Sequence, residues 1–358
     1  MVIVMELFVD TKLIGRRKNR PVGEIKSKNH YQDLIKGAEW MVSQLKDLTG
    51  VIGITLSGGL SRGYGDELSE IDLMIYLDKK AYEKWSQGEA PVPQGDTLWN
   101  GYYFDLEFLS YYEEWDKKWD PFMKWDASYN KILYDPYSKI VKLLEHKDIF
   151  TAREKFQCAA TSFGKCVYIG NLVVQQWIKR GDPLIANHLI NKAIKGLIKI
   201  VFLINDEYLP PDKWSLNYSY SLDWLPEGWR ERISDVILVK EISMEEAERR
   251  CKILHRIYNE CWERLVGTKF KDLEFIEINL YNELQYIISK TPVNLNEFSE
   301  KFDIKHLTFE PIFQLTEIKT KDNVKWIIFK KEKFLEQREE NFKEFLDWNK
   351  NLLKKLVL

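Results

Sequence analysis

The chain has 358 residues, 45% of them hydrophobic, and its 53 basic and 55 acidic side chains leave a formal net charge of -2. That length exceeds the usual single-domain range and predicts two domains with room for a small third. The near-neutral charge argues against a nucleic-acid partner held by bulk electrostatics, and only local basic patches remain open.

Cys158, Cys166, Cys251 and Cys261 form no CxxC pair and have no histidine at zinc-finger spacing, so they read as buried free thiols. The opening MVIVMELFVD meets Glu6 and Asp10 too early for a signal peptide, and no run of about eighteen uncharged apolar residues occurs. A cytoplasmic protein with no membrane partner is the expectation. HYQDLIKGAEWMVSQLKDL (30–48) places Leu34, Ala38, Met41, Val42, Leu45 and Leu48 at three- and four-residue steps, which predicts an amphipathic helix ended by Gly50. VIGITL (51–56) reads as a buried strand and, after a glycine turn, EIDLMIYL (70–77) as a second. A helical or loop segment leads through PVPQG (91–95) to GYYFDLEFLS (101–110), a third strand with clean alternation. KILY (131–134) is a candidate fourth, stopped by Asp135-Pro136.

Helical periods then take over at 152–180, 184–205 and 244–266, broken by Gly181-Asp182-Pro183 and by YLPPDKW (208–214). Further on come a helix near 279–289, a hairpin in FQLTEIKTKDNVKWIIF about Lys321-Asp322-Asn323, and a charged helix from about 332. No repeat or low-complexity tract appears. The expected class is α+β: an N-terminal mixed-sheet domain over 1–150, a helical domain over 151–267 and a small α/β or winged-helix-like region over 268–358.

A strand has a period of two, so Glu70 and Asp72 point to one face while Ile71 and Leu73 point to the other. Two acids side by side repel, and a divalent cation, Mg²⁺ above all, is the simplest reason to keep both. The preceding Gly58, Gly59 and Gly63 allow backbone N–H groups to converge on an anion, with Ser61 and Arg62 adding a hydroxyl and a guanidinium. The GxxxxGK[ST] loop is absent. On the third strand Asp105 and Glu107 share a face, and either could bridge to a metal or take a proton from an attacking hydroxyl.

Gly58-Gly59, ten intervening residues, Glu70-Ile71-Asp72 and then an acid flanked by apolar residues resemble the motif hG[GS], [DE]h[DE]h, h[DE]h. This motif belongs to the nucleotidyltransferase superfamily, which includes DNA polymerase beta and the antibiotic (aminoglycoside and lincosamide) nucleotidyltransferases. The resemblance covers roughly residues 50–110. It implies that Gly58 and Gly59 form the triphosphate turn, that Glu70 and Asp72 are metal ligands, and that Asp105 is the third carboxylate, with Glu107 an additional acid. Two departures stand out. Gly59 occupies a position where many relatives have Ser, so a hydroxyl contact to phosphate is missing there or moves to Ser57 or Ser61, and Glu70 replaces the commoner Asp. FLINDEYLPPDKW (202–214) resembles the helix end and Tyr-Pro-Lys-Trp turn of the substrate-side domain in antibiotic nucleotidyltransferases.

Helix 184–205 carries Lys192, Lys195 and Lys199 on one polar stripe. Such a stripe is usually only the wet side. A triphosphate nevertheless needs cationic neutralisation that glycines cannot give, which makes Lys192 and Lys195 candidates. SYYEEWDKKWDPFMKW (110–125) interleaves aromatics with acids, suited to a cationic or sugar-like acceptor or simply to core plus solvated charge. A ribonuclease-like reading finds only Arg180 and His188 across a Gly-Asp-Pro break and is poor.

The resulting expectation is a transferase with two Mg²⁺ ions. It would move a nucleoside monophosphate from a nucleoside triphosphate to a small hydroxyl-bearing acceptor, Asp105 or Glu107 deprotonating the hydroxyl. A protein hydroxyl as acceptor, and a nucleotide-sensing or DNA-binding regulator using 279–330 as a winged helix, are the alternatives.

Overall fold

The computed structural model describes residues 20–147, 149–150, 158–159, 161–266, 281–308 and 315–332. These fall into two compact units, one within Asp10–Thr151 and Asn205–Asp223, the other within Ala152–Ile204 and Trp224–Leu358. Among the described residues no helix is long and apolar enough to cross a membrane.

The first unit is built on a five-stranded mixed sheet of β1 (Val51–Leu56), β2 (Ile71–Leu77), β3 (Gly95–Trp99), β4 (Tyr102–Ser110) and β5 (Lys131–Tyr134), in the order β3-β4-β2-β1-β5. β2 and β4 run parallel with Asp72 opposite Asp105 and Met74 opposite Glu107, while the other neighbours are antiparallel. The alternation in β4 does what period two requires: Phe104, Leu106 and Phe108 are buried, and Asp105 and Glu107 face outward. On the apolar side the helix Tyr31–Leu45 covers β2 and β4, its Ala38, Met41 and Leu45 joining Ile71, Leu73, Phe104 and Leu106. A second core holds Ile52, Tyr76 and Trp119 with Ile140, Leu143 and Leu144 of the helix Lys139–Lys147.

β3 lies outside the sequence expectation because it is an edge strand whose residues are mostly exposed, so no hydrophobic alternation marks it. Two short helices were also unmarked by periodicity, although their caps are written in the sequence. Ser110 accepts from Glu113 N–H at the start of Tyr111–Asp116, and Asp120, ahead of Pro121, accepts from Met123 N–H at the start of Pro121–Ala127.

The second unit contains the helices Pro183–Ile204, Trp229–Ile237 and Met244–Val266, the π-helical stretch Lys165–Val173 continuing as Val174–Lys179, and a small α+β region. There the helix Tyr281–Lys290, strand β6 (Val293–Asn294), a short helix Leu295–Ser299 and a 3₁₀ turn Ile304–Thr308 precede the hairpin of β7 (Thr316–Lys321) and β8 (Val324–Phe329). The sheet order β6-β8-β7 gives a helix-then-hairpin arrangement of winged-helix type. The hairpin turns where expected, with Asp322 and Asn323 both at positive φ as a primed two-residue turn demands. The charged helix expected from about 332 lies almost wholly outside the described residues.

Candidate functional site

At the end of β1 the Ser57 N–H donates to the Asp72 carbonyl at 3.0 Å, so the chain leaves the sheet beside the start of β2. It turns at once into a single helical turn, Gly58–Ser61. Gly58 has φ +58°, and a Cβ built there would lie 1.7 Å from Asp72 Oδ2. Glycine is therefore required for two reasons, the left-handed backbone and the contact with the carboxylate. At Gly59 an added Cβ would come 3.2 Å from the Tyr64 carbonyl, so a side chain there would require that backbone to give by a few tenths of an ångström. The Ser61 hydroxyl is buried and donates to the Gly58 carbonyl at 2.8 Å. Ser57 makes no capping bond with its side chain and lines the adjoining cleft.

Glu70, Asp72 and Asp105 offer carboxylate oxygens that all lie within 4.8 Å of one another, and each residue is half-buried. Asp72 is pushed up to about 7, first by burial, then by Glu70, Asp126 and Asp105, with Arg62 pulling the other way. Enclosure, then Asp96, raises Asp105. Glu107, two residues along β4, is raised by enclosure first and then by Asp105 and Glu114. Asp72 and Asp105, partly enclosed and crowded by like charge, both resist ionisation, and with Glu70 they form a group of oxygen donors that could hold a hard divalent ion.

From the triad a cleft of about 430 Å³ runs along the sheet face, with Met74, Tyr76 and Leu109 further along the strands. Its walls come from residues 114–127 and from the turn at Pro211, Lys213 and Trp214. Arg62 lines the cleft, but its guanidinium is held by Asp126 at 2.7 Å and lies 4.5 Å over the Trp125 ring. The aromatic stretch divides between the two readings. Trp119 is buried and donates to Glu114 at 2.7 Å, and Trp125 is buried against Tyr129 and Tyr218, so both are scaffold. Phe122, 47% exposed, and the half-buried Met123 and Trp214 are available to a ligand.

The structure thus brings together Ser57, Gly58, Glu70, Asp72, Asp105 and Glu107. Lys192 and Lys195 are exposed on the helix Pro183–Ile204 of the second unit and are not among the residues lining this cleft. Sequence reasoning missed Asp126, Glu114, Lys117 and Lys213. The only signals were the Ser110 and Asp120 caps for the first three and the YLPPDKW turn for the last.

Residues 38–155 match the family described as Nucleotidyltransferase domain, and residues 142–215 match a domain of unknown function, DUF4037. No curated protein matches the chain. Among solved structures the chain is similar to a nucleotidyltransferase-like protein from Exiguobacterium sibiricum 255-15, with 12% identity and a TM-score of 0.44. That similarity covers 83% of this chain and 98% of that one.

Proposed function

We propose, on the premise that this chain is a transferase carrying a nucleotidyltransferase domain and so takes a nucleotide substrate, that it moves a nucleoside monophosphate from a nucleoside triphosphate to the hydroxyl of a small-molecule acceptor. The observation that carries the reading is the convergence of the Glu70, Asp72 and Asp105 carboxylates within 4.8 Å. The adjoining cleft of about 430 Å³ is of the size that small ligands occupy and supports a small acceptor.

The donor set is all oxygen and over-charged, which fits Mg²⁺; Glu70, Asp72 and Asp105 would hold it, and two ions are proposed. When bound, Mg²⁺ neutralises the triphosphate and makes the α-phosphorus easier to attack. The rest falls to the chain's own groups. Backbone N–H groups of the Gly58–Ser61 turn and the Ser57 hydroxyl bind phosphate oxygens. Glu107, half-way between triad and acceptor pocket along β4, takes the hydroxyl proton. Burial and then the Asp105 charge raise its pKa, which makes it a stronger base than an ordinary carboxylate. Pro211, Phe122 and Trp214 exclude water from the acceptor side.

The test is calorimetry with a non-hydrolysable triphosphate, in Mg²⁺ and in EDTA, on the wild type and on Asp105→Asn and Glu107→Gln. Asp105→Asn should weaken Mg²⁺-dependent binding. Glu107→Gln should bind normally and lose roughly 10² to 10⁴ in kcat with any acceptor found by α-phosphate label transfer. Equal wild-type affinity in both buffers would remove the metal reading.

A further inference from the structure

The two edges of the five-stranded sheet are not protected alike. β5 opens on Lys131, whose ammonium donates to the Tyr31 hydroxyl at 2.9 Å, and Asp135-Pro136 follows it at once. Lysine and proline are the usual guards of a sheet edge. β3 (Gly95–Trp99) has neither. Its register with β4 runs unbroken from Gly95 opposite Leu106 to Trp99 opposite Tyr102, and among the described residues no strand pairs with its outer edge. Leu98 is 73% exposed, and Trp99 and the cross-strand neighbour of Leu98, Tyr103, are exposed too.

Period two divides the strand between the faces of the sheet. Asp96 and Leu98 share the face of Asp105, while Gly95, Thr97 and Trp99 share the apolar face of Leu106 and Phe108. A groove of about 460 Å³ opens on that second face, lined by Trp85, Pro91, Pro93, Gln94, Trp99 and Phe108. Gly95 follows Gln94 with φ +80°, and a Cβ built there would meet nothing within 4 Å. The strand thus carries an exposed tryptophan at one end and, at the other, a residue without a side chain beside an apolar groove.

An antiparallel copy of the same five residues is complementary to this edge. With Thr97 on a two-fold axis all five residues pair, Gly95 with the second copy's Trp99 and Asp96 with the second copy's Leu98. The indole then lies over the glycine, against the groove. A slip of one residue would set apolar face against carboxylate face along the whole strand. A slip of two leaves only three residues paired, and in one direction it brings Asp96 opposite Asp96, a like-charge pair that destabilises. The register that pairs most is also the one that keeps the acids apart.

We propose that this chain forms a two-fold dimer through β3, joining two five-stranded sheets into one of ten strands with both carboxylate triads on the same face. The occupant of the edge is a second copy of the chain, and the proposal stands apart from the nucleotidyl-transfer reading. Charge makes the test specific to the register. Sedimentation velocity is run at about 0.1 mM protein on wild type, Leu98→Asp, Leu98→Lys and the double variant Leu98→Asp with Asp96→Lys. Leu98→Asp sets carboxylate opposite carboxylate twice across the axis and should weaken dimerisation roughly tenfold or more, with the far-UV circular dichroism unmoved because Leu98 is mostly exposed. Leu98→Lys is as polar a change at the same residue but places an ammonium opposite Asp96, so the dimer should persist within roughly threefold of wild type. The double variant restores opposite charges and should recover to the same extent. A wild type that is monomeric at that concentration leaves the edge to some other strand and overturns the proposal. A dimer that Leu98→Asp changes by less than twofold overturns it as well, and so does an equal loss in Leu98→Asp and Leu98→Lys, which would deny the pairing with Asp96.

Discussion

Each unit of the molecule encloses a charged side chain, Arg250 fully and Asp72 in part, and the two are treated in opposite ways. In the second unit Arg250 is 0% exposed, and every oxygen that receives its protons is neutral: the Val236 carbonyl at 2.6 Å and the side-chain oxygens of Asn187 and Asn191. In the first unit Asp72 is enclosed among Glu70, Asp105 and Asp126, and Arg62 is turned to Asp126. The cation is saturated by donors and acceptors that belong to the fold, so it serves the fold. The anion is crowded by its own sign, so the fold alone gives no reason for it.

The comparison breaks most readily at Asp72→Asn. This change keeps volume and removes a like charge, so transfer should fall by roughly 10³ or more, about 4 kcal/mol of transition-state stabilisation. The urea midpoint at pH 8 should stay level or rise. A variant that keeps turnover within tenfold, or that melts earlier, would make Asp72 structural like Arg250.

The pH dependence is the next effect in size. The folded carboxyl of Asp72 titrates at about 7 against an ordinary value of 3.8. The folded state therefore holds a proton that the unfolded state releases, and stability is full below about pH 4 and lost as pH rises through 7. The full swing would be about 4 kcal/mol, with water in the cleft taking part of it. Asp105 and Glu107 push the same way. The measurable quantity is the difference in unfolding free energy between wild type and Asp72→Asn, in EDTA, from pH 5 to pH 8. It should move against the wild type as pH rises, and Mg²⁺ should erase it. A flat difference would mean that the crowding of Asp72 has no energetic consequence.

Arg250→Met keeps most of the bulk and orphans three oxygens, at roughly 1 kcal/mol each, so about 3 kcal/mol of stability should go. Mg-triphosphate affinity of the folded fraction should be unchanged. A loss of affinity without loss of stability would turn the buried arginine into a site residue.

How far this contrast was legible in the sequence follows from what each part depends on. β4 and the helix Tyr31–Leu45 could be read because one face of each is buried and the spacing of apolar residues records it, and β1 and β2 because short apolar runs bounded by turns mark a largely buried strand. The convergence of Glu70, Asp72 and Asp105 was legible for the same reason: alternation fixes their faces, and parallel pairing then sets Asp72 against Asp105. That register also separates Asp105 from Glu107, which spacing alone left open to a slip of two residues. The cleft walls were not legible. The helix Pro121–Ala127 and the turn at 205–223 are placed by scattered long-range contacts, among them Arg62 with Asp126, Arg20 with Glu207, Trp125 with Tyr218 and Asn217 with Glu24, and such contacts leave no periodic trace. Arg62 read as a phosphate ligand because nothing local to it reveals a partner 64 residues away.

The smallest effect lies in the glycine turn, where two serines four residues apart share a neighbourhood and differ in what their hydroxyls do. Ser61 is buried and spends its proton on the Gly58 carbonyl at 2.8 Å, which stiffens the turn that presses against Asp72. Ser57 caps nothing with its side chain and borders the cleft. Ser61→Ala should therefore cost about 1 kcal/mol of stability, read as a fall in urea midpoint, while leaving Mg-triphosphate affinity within twofold. Ser57→Ala should reverse the pattern, with the urea midpoint unchanged and affinity down roughly three- to tenfold, the worth of one hydrogen bond to a charged oxygen. If Ser61→Ala were the variant that lost nucleotide, the hydroxyl displaced from position 59 would have moved to Ser61, and the turn would have to reopen on binding to release it.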